Sequence, residues 1–310
     1  MGPPGPWRTR TKHAAGSSSG NESCSIAAEP PGPTASRHAP HARADGSGAQ
    51  RARVAEALRR EADRYRAIAD GTSREPPPIE LACALAPSDR AAAARANARS
   101  MSRLARRVER GGRWAYAAVG TFGFGHPRHG ETPLVAWRPG DACPRDPAPD
   151  INRFGINVVR AGRAAHGYFG GVAPIVTVSG GAVHSPLNES FLLSYIMTCR
   201  LGVPADAVLV DPCADHTHTN VRNTGRLVRA LAGRTAYVLT DDGLQSDYLQ
   251  EWTIFDCIGG SIDQRALRDF GYLIGSWRQA SIGIDAGFWF TPYRFWAEPE
   301  AALGSFTCVR

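Results

Sequence analysis

The segment PIVTVSGG, residues 174–181, decides the fold class. Its β-branched, apolar run is typical of a strand that is buried on both faces, and the Ser-Gly-Gly turn ends it. The segments AVLVD (207–211) and TAYVLT (235–240) have the same character, and Ala115–Val119 is another apolar run, which ends at Gly120. Helical patterns separate these strands. Short buried strands that alternate with helices predict an α/β protein: a three-layer, Rossmann-like fold with a mostly parallel sheet.

The helices between the strands are predicted from apolar spacing and from end signals. Residues Ile151–Ala165 carry an apolar stripe at helical spacing. Ser185 followed by Pro186 is a typical N-cap and first-turn pair, and Gly202 closes that helix. A third helix is predicted over Val221–Leu231. Each helix therefore connects two strands that are expected to be parallel.

The first 110 residues differ from the rest in charge and composition. They contain 19 of the 36 basic and 11 of the 29 acidic residues, so the excess charge of +7 lies here and the remainder is close to neutral. Residues 1–50 have almost no large apolar side chains, which predicts a disordered tail. Residues 51–111 predict a helical extension of two helices, followed by the Rossmann-like domain over residues 112–310.

An arginine ridge lies on the second of these helices, where Arg95, Arg99, Arg103 and Arg107 recur at i,i+4 spacing. It is either a solvated face or a surface for an acidic partner. A nucleic-acid binder is an alternative function on this ground. The near-neutral remainder of the chain gives no strong nucleic-acid signal and argues against it.

Composition predicts the compartment and the state of the cysteines. No apolar run approaches 18 residues, so no membrane span is predicted, and the N-terminus lacks the apolar core of a signal peptide. These features predict a cytoplasmic protein. The seven cysteines form no C-x-x-C pair and are irregularly spaced, so most are predicted to be reduced thiols.

The candidate site follows from the fold class. Ligands of open α/β sheets bind at the carboxyl ends of the strands, where the strand order reverses. We therefore expect Gly120, Ser179, Asp211 and Thr240 together at one edge of the sheet. Four loops should surround them, each rich in small, hydroxyl, amide or acidic residues: 120–130, 179–189, 211–220 and 240–248.

Two features of these loops have alternative interpretations. Glu189 falls in the first turn of a predicted helix, where it either stabilises the helix dipole or acts as a general base. Ser179-Gly180-Gly181 is either a tight turn or a loop whose backbone approaches a ligand near a helix N-terminus that favours anions. The sequence contains no dinucleotide fingerprint, no P-loop lysine and no serine-hydrolase elbow.

A metal site is considered and not predicted. His216 and His218 are separated by one residue, with Asp211 and Asp215 nearby. Because this stretch leads into a helix, side chains at i and i+2 are expected to diverge. Cys213 is interpreted as a small buried thiol rather than as a nucleophile.

The ordered set PIVTVSGG, Asn188-Glu189, GVPADAVLVD and HTHTNVRNTGRLV resembles the YdcF/ElyC/SanA family of domains of unknown function, over roughly residues 113–275. The resemblance implies a Rossmann-like fold and binding of S-adenosylmethionine or another nucleotide. Some members of the family are membrane-anchored envelope factors, whereas no anchor is predicted here.

The resemblance also implies a set of pocket residues. It points to Ser179, Gly180, Gly181, Glu189, Thr217, Asn220 and Asn223, with Arg153 in the first helix of the domain. Similarity to a subgroup adds Asp241, Gln245, Ser246 and Arg265. Thr219 and Gln245 stand where many relatives have glutamate and histidine, so each departure removes an ionisable group.

The sequence therefore predicts a protein that binds a nucleotide-like or phosphorylated small molecule. Glu189 and Asp241 are the catalytic candidates for a transferase or hydrolase reaction, and Gly120 and Asp211 join the ligand-binding set from the strand ends. A non-catalytic binding or regulatory module with the same pocket, or an envelope-biogenesis factor, is the main alternative. The sequence does not predict the cofactor or the oligomeric state.

Overall fold

The computed structural model describes residues 48–145, 149–241, 262–282 and 285–297. Six strands form one mixed sheet in the order β3-β2-β1-β4-β6-β5. The strands β1 to β4 are parallel to one another, whereas β6 pairs antiparallel with both β4 and β5. The prediction of an α/β protein with a mostly parallel sheet is confirmed. The strands are β1 Ala118–Phe122, β2 Val176–Ser179, β3 Val208–Asp211, β4 Ala236–Leu239, β5 Gly275–Ile282 and β6 Asp285–Pro292.

Seven α-helices lie in the described part of the chain. Two of them precede the sheet, three lie between parallel strands, and two flank the antiparallel pair. They are α1 Gly48–Ala69, α2 Pro87–Glu109, α3 Gly155–Phe169, α4 Glu189–Tyr195, α5 Thr217–Ala230, α6 Ile262–Phe270 and α7 Arg294–Ala297. A π-helical turn over Ile196–Arg200 continues α4.

Helices α3 and α5 cover opposite faces of the sheet. In β1, Val119 faces Gly167 of α3, whereas the next residue, Gly120, faces Thr224 of α5. Successive side chains of a strand point to opposite faces, so the two helices must lie on different sides. Gly120 has no room for a side chain there, because a Cβ would lie 3.1 Å from Thr177 Oγ1.

Helix α2 covers the outer edge of the sheet at β3. The side-chain amide of Asn97 donates to Val210 O at 3.0 Å and accepts from Val210 N at 2.7 Å. One turn further along, Ser100 Oγ donates to Val208 O at 2.7 Å. These bonds satisfy backbone groups that would otherwise be open to another strand. The helical extension is therefore an integral layer of the fold.

A buried charge cluster fastens α1 to α5. Arg226 of α5 donates from Nη1 to Glu80 Oε1 at 2.8 Å and to the Tyr65 hydroxyl at 2.9 Å, and its Nη2 pairs with Glu61. Burial and the charge of Glu80 raise the pKa of Tyr65. The cluster replaces water around a buried guanidinium with carboxylate oxygens, which compensates for its desolvation.

Part of the arginine ridge on α2 also serves packing. Arg103 donates to the Tyr168 hydroxyl at 3.2 Å and lies 3.4 Å from a carboxylate oxygen of Asp206. Arg107 donates to Pro174 O at 3.1 Å. These two arginines bind α2 to neighbouring elements and are not fully available to an external partner.

Several predicted element boundaries are wrong. Helix α3 runs from Gly155 to Phe169 rather than from Ile151 to Ala165. The strand β1 does not end at Gly120 but continues through Phe122, which is completely buried. Helix α4 begins with Asn188 as its N-cap rather than Ser185, because Asn188 Oδ1 accepts from a backbone N–H of the first turn. Helix α5 begins at Thr217, four residues earlier than the apolar pattern indicates.

Two disulfides overturn the prediction of reduced thiols for four of the cysteines. Cys83 is bonded to Cys213 and Cys143 is bonded to Cys199. The first ties the segment after α1 to the loop that follows β3. Sequence spacing did not reveal these pairs, because their members are far apart in the chain. Disulfides persist in oxidising compartments, so they count against the predicted cytoplasmic location.

We expect peptide mapping under non-reducing conditions to recover these two linkages. Digestion of protein alkylated before denaturation should yield one cross-linked peptide pair containing Cys83 and Cys213 and another containing Cys143 and Cys199. Both pairs should disappear after reduction. Recovery of the four cysteines as alkylated single peptides without reduction would contradict the pairing.

Some predictions fall outside the described residues. The disordered tail was predicted over residues 1–50, and the structure describes the chain from Gly48 onward. Gln245 and Ser246 also lie outside the described ranges. Within those ranges, no helix combines the length and apolar character needed to cross a membrane.

Candidate functional site

The strand order reverses at β1, which has β2 on one side and β4 on the other. A crevice at the carboxyl ends of the strands is expected at such a point. Ser179 and Asp211, the last residues of β2 and β3, are register partners, and Thr240 directly follows β4. Gly120 is placed differently: it lies two residues before the end of β1, inside the sheet. It is therefore not at the edge where a ligand would bind.

Arg160 connects the carboxyl ends of β1 and β4, beside the place where the strand order reverses. Its Nε donates to Asp241 Oδ2 at 2.6 Å, after β4, and its Nη1 donates to the carbonyl oxygens of Phe122 and Gly123 at 3.0 and 2.8 Å, at the end of β1. The side chain is almost fully buried. Asp241, a predicted catalytic residue, is thus the partner of an arginine that joins β1 to β4.

Arg160 is the main residue that the sequence interpretation missed, since Arg153 was chosen instead. Arg153 lies before α3, and its Nη atoms donate to the carbonyl oxygens of Glu131 and Arg128 at 2.6 and 2.5 Å. Arg160 lies seven residues later, two helical turns along. The available signal was its position on the buried stripe of α3, where an arginine needs a partner.

Glu189 lies in the first turn of α4, as predicted, and its side chain is packed among glycines. A Cβ at Gly123 or Gly180 would lie 2.5 or 2.7 Å from Glu189 Oε2, and one at Gly125 would contact Oε1. Gly180 has a φ of +147°, which few other residues adopt. These glycines allow the carboxylate to lie directly against the backbone of two strand ends.

The Glu189 carboxylate has no hydrogen-bond donor among the residues that the structure describes, although only 8% of the residue is exposed. Burial raises its pKa to about 7, against the opposing attraction of the Arg160 guanidinium. A carboxyl group of this kind exchanges its proton near neutral pH. The hydrogen bond that caps α4 is made by Asn188, not by Glu189.

A second cluster lies beneath Gly180, between the ends of β2 and β3. The Ser179 hydroxyl is 2.5 Å from Asp211 Oδ2 and 2.7 Å from Asn220 Oδ1. Asp211 Oδ1 accepts from Cys213 N at 3.0 Å and from Asn223 Nδ2 at 3.1 Å. The structure thus brings together four of the residues implied by the strand ends and the family resemblance.

The hydrogen bonds around Ser179 favour a protonated Asp211. Asn220 Nδ2 donates to His216 O at 3.0 Å, so its Oδ1 is the atom that faces Ser179. The Ser179 hydroxyl has only one proton to give to two oxygen neighbours. A proton on Asp211 Oδ2 satisfies both contacts, and complete burial raises the pKa of Asp211 to about 7 against the opposing hydrogen bonds from Ser179, Cys213 and Asn223.

The Ser-Gly-Gly loop is a tight turn whose N–H groups are used internally. Gly180 N donates to Asp211 O at 3.0 Å and Gly181 N donates to Ala214 O at 2.6 Å. The first N–H groups of α4, from Glu189 and Ser190, donate back to the carbonyl oxygens of the two glycines. This arrangement leaves no N–H of the loop for an anion, so the anion-binding interpretation of the turn is wrong.

The two histidines of the β3–α5 loop do not diverge as predicted. Their rings stack at 5.7 Å, because His216 is the N-cap residue and has an extended backbone. His218 is buried and its Nε2 lies 2.8 Å from Asp269 Oδ2. Within the described ranges, no group of three or more His, Cys, Asp or Glu side chains is arranged to hold a metal ion.

The remaining predicted site residues are placed as follows. Cys213 is neither a free thiol nor a nucleophile, since it is bonded to Cys83. Thr217 is half-buried at the first position of α5, and Arg265 lies on α6, which packs against α5. No protein-family model, no curated protein and no solved structure matches this chain. Its function is therefore argued from the geometry of the site.

Proposed function

We propose that this protein binds a small molecule at the carboxyl ends of β1 and β2, beside the Arg160–Asp241 pair, and that Glu189 transfers a proton to or from it. The observation that carries the proposal is the Glu189 carboxylate itself. It is buried against glycine backbone and has no donor among the described residues. A buried carboxylate without a partner is costly, and a ligand hydroxyl or amine would supply the missing hydrogen bond.

The neighbouring charges suit this role. Arg160 and Asp241 form a buried ion pair, so their charges stay at fixed positions beside the reacting group. The Glu189 pKa of about 7 makes both of its protonation states available at neutral pH. A group transfer or hydrolysis that needs a proton acceptor and later a proton donor fits this chemistry.

The proposal includes a Rossmann-like architecture and membership of the YdcF/ElyC/SanA family. The order β3-β2-β1-β4 equals that of the first four strands of a dinucleotide-binding sheet, and helices cover both faces. Ser179, Asn220 and Asn223, which the family resemblance names as pocket residues, lie together around Asp211. These features support a nucleotide-like or phosphorylated ligand, with S-adenosylmethionine among the candidates.

Substitution Glu189→Gln tests the function. Thermal unfolding of the full chain is measured with nucleotides, S-adenosylmethionine and sugar phosphates, and each stabilising ligand is then assayed for turnover. A ligand at a hundred times its Kd stabilises by about 2.7 kcal/mol. We expect Glu189→Gln to keep the fold, because the amide resembles the protonated acid, and to lose about 100-fold or more of the turnover.

The matched control is Glu56→Gln, which alters an exposed carboxylate on α1. It should match the wild type in binding and turnover. If Glu189→Gln bound every ligand as the wild type does and retained full activity, the role of Glu189 would be wrong. Binding without turnover in the wild type would favour the non-catalytic binding module instead.

A further inference from the structure

We infer that the cleft beside the crevice, formed by the loop after β1 and the start of α3, binds a phosphate monoester. The cleft has a volume of about 660 Å³, which is within the range of small-molecule sites. The inference rests on the proposed function, because the cleft would hold one end of the same ligand. The cleft lining includes Phe124, His126, Arg128, His129, Asp150, Arg153 and Phe154.

The charge of the cleft is positive. Two arginines, Arg128 and Arg153, line the cleft together with one carboxylate, that of Asp150. Asp150 Oδ1 accepts from Asn152 N at 2.9 Å, which partly satisfies its charge. A dianion would therefore find more cations than anions around it, and guanidinium groups match phosphate oxygens in geometry.

The two arginines differ in whether their guanidinium groups already bind acceptors within the protein. Both Nη atoms of Arg153 donate to backbone carbonyl oxygens, so this guanidinium is fixed in the wall of the cleft. Arg128 is exposed, and no acceptor for its guanidinium is found among the described residues. Arg128 is thus available to close on an anion, whereas Arg153 supplies a fixed charge.

His129 reports the electrostatic environment of the cleft. Burial and the charges of His126 and Arg153 lower its pKa. The lowered pKa agrees with the positive charge that the lining residues show, which an anion would offset.

Aromatic rings line the same cleft and suggest what carries the phosphate. The His129 ring packs edge-to-face on Phe154 at 4.9 Å and lies 6.5 Å from the Phe124 ring. Phe124 also lies 5.9 Å from the Arg160 guanidinium, so the cleft adjoins the proposed site. A ring-bearing phosphate ester would place its anion against Arg128 and its ring against these side chains.

The test measures binding of phenyl phosphate, inorganic phosphate and phenol to the full chain by calorimetry. We expect phenyl phosphate to bind more tightly than inorganic phosphate and phenol to show no saturable binding. Arg128→Ala removes a charge-assisted contact and should raise the Kd for phenyl phosphate about tenfold or more. Arg128→Glu should abolish binding. Arg110→Ala, an exposed arginine outside the cleft, should leave the Kd unchanged.

Failure of this inference is distinguishable from failure of the proposed function. Glu189→Gln should bind phenyl phosphate as the wild type does, whatever its effect on turnover. The inference is overturned if the wild type does not bind phenyl phosphate saturably, if phenol binds equally well, or if both Arg128 variants bind like the wild type. Circular dichroism of each variant confirms that the fold is retained.

Discussion

Replacing Arg160 by methionine is expected to lower the free energy of unfolding by about 3–5 kcal/mol, because it leaves a buried charge without its partner. Arg160 is 2% exposed, and its guanidinium donates to Asp241 and to two backbone carbonyl oxygens. Methionine fills part of the volume but supplies no donor. The measurement is unfolding by urea at neutral pH, monitored by circular dichroism.

The double variant Arg160→Met/Asp241→Asn separates charge from packing. Removing the carboxylate charge as well should recover part of the lost stability, so the two substitutions should not be additive. If Arg160→Met does not fold, Asp241→Asn alone still tests the pair and should destabilise the protein. If Arg160→Met lowered the free energy of unfolding by less than about 1 kcal/mol, the Arg160–Asp241 pair would not stabilise the fold.

The sheet was predictable from the sequence because its strands carry their own signals. The runs ending at Ser179, Asp211 and Thr240 are short, apolar and β-branched, and each is followed by small or polar residues. The carboxyl ends of parallel strands lie at the same edge of a sheet, so the grouping of Ser179, Asp211 and Thr240 followed from the strand assignments alone. The start of β1 was predicted too early because Ala115 and Tyr116 resemble strand residues although they precede it.

The contacts that define the site were less predictable, since they depend on residues distant in sequence. Arg160 and Asp241 are 81 residues apart, and nothing local shows that the arginine of α3 reaches the end of β4. The same holds for the bond between Cys83 and Cys213, whose members are 130 residues apart. Antiparallel pairing of β6 with β4 likewise joins segments without a shared local pattern.

Stability is expected to fall by about 4 kcal/mol between pH 4 and pH 8 through Asp211 alone. Its pKa is about 7 in the folded protein and 3.8 in the unfolded chain. Between these values the folded state keeps the proton that the unfolded state has lost, so stability decreases as pH rises. The stability that the Asp211 proton contributes is fully present below about pH 3.8, and it is lost as the pH rises through about 7. The hydrogen bonds point the same way, because an ionised Asp211 and Asn220 Oδ1 would both need the single proton of the Ser179 hydroxyl.

Substitution Asp211→Asn removes this dependence and keeps the contacts. The amide can donate from Nδ2 to Ser179 Oγ, as the protonated acid does, while Oδ1 still accepts from Cys213 and Asn223. We therefore expect Asp211→Asn to be as stable as the wild type near pH 4 and considerably more stable at pH 8. The measurement is urea unfolding over this pH range.

Glu189→Gln is the matched control, because the pKa of Glu189 is also raised to about 7 and stability should fall with pH through it as well. Each single variant should remove its own part of the slope, and the double variant should remove both. Asp211 is wholly buried and bonded, whereas Glu189 is the group proposed to contact the ligand, so a bound ligand should change only the part that belongs to Glu189. An unchanged slope in Asp211→Asn would mean that Asp211 is ionised in the folded protein at neutral pH.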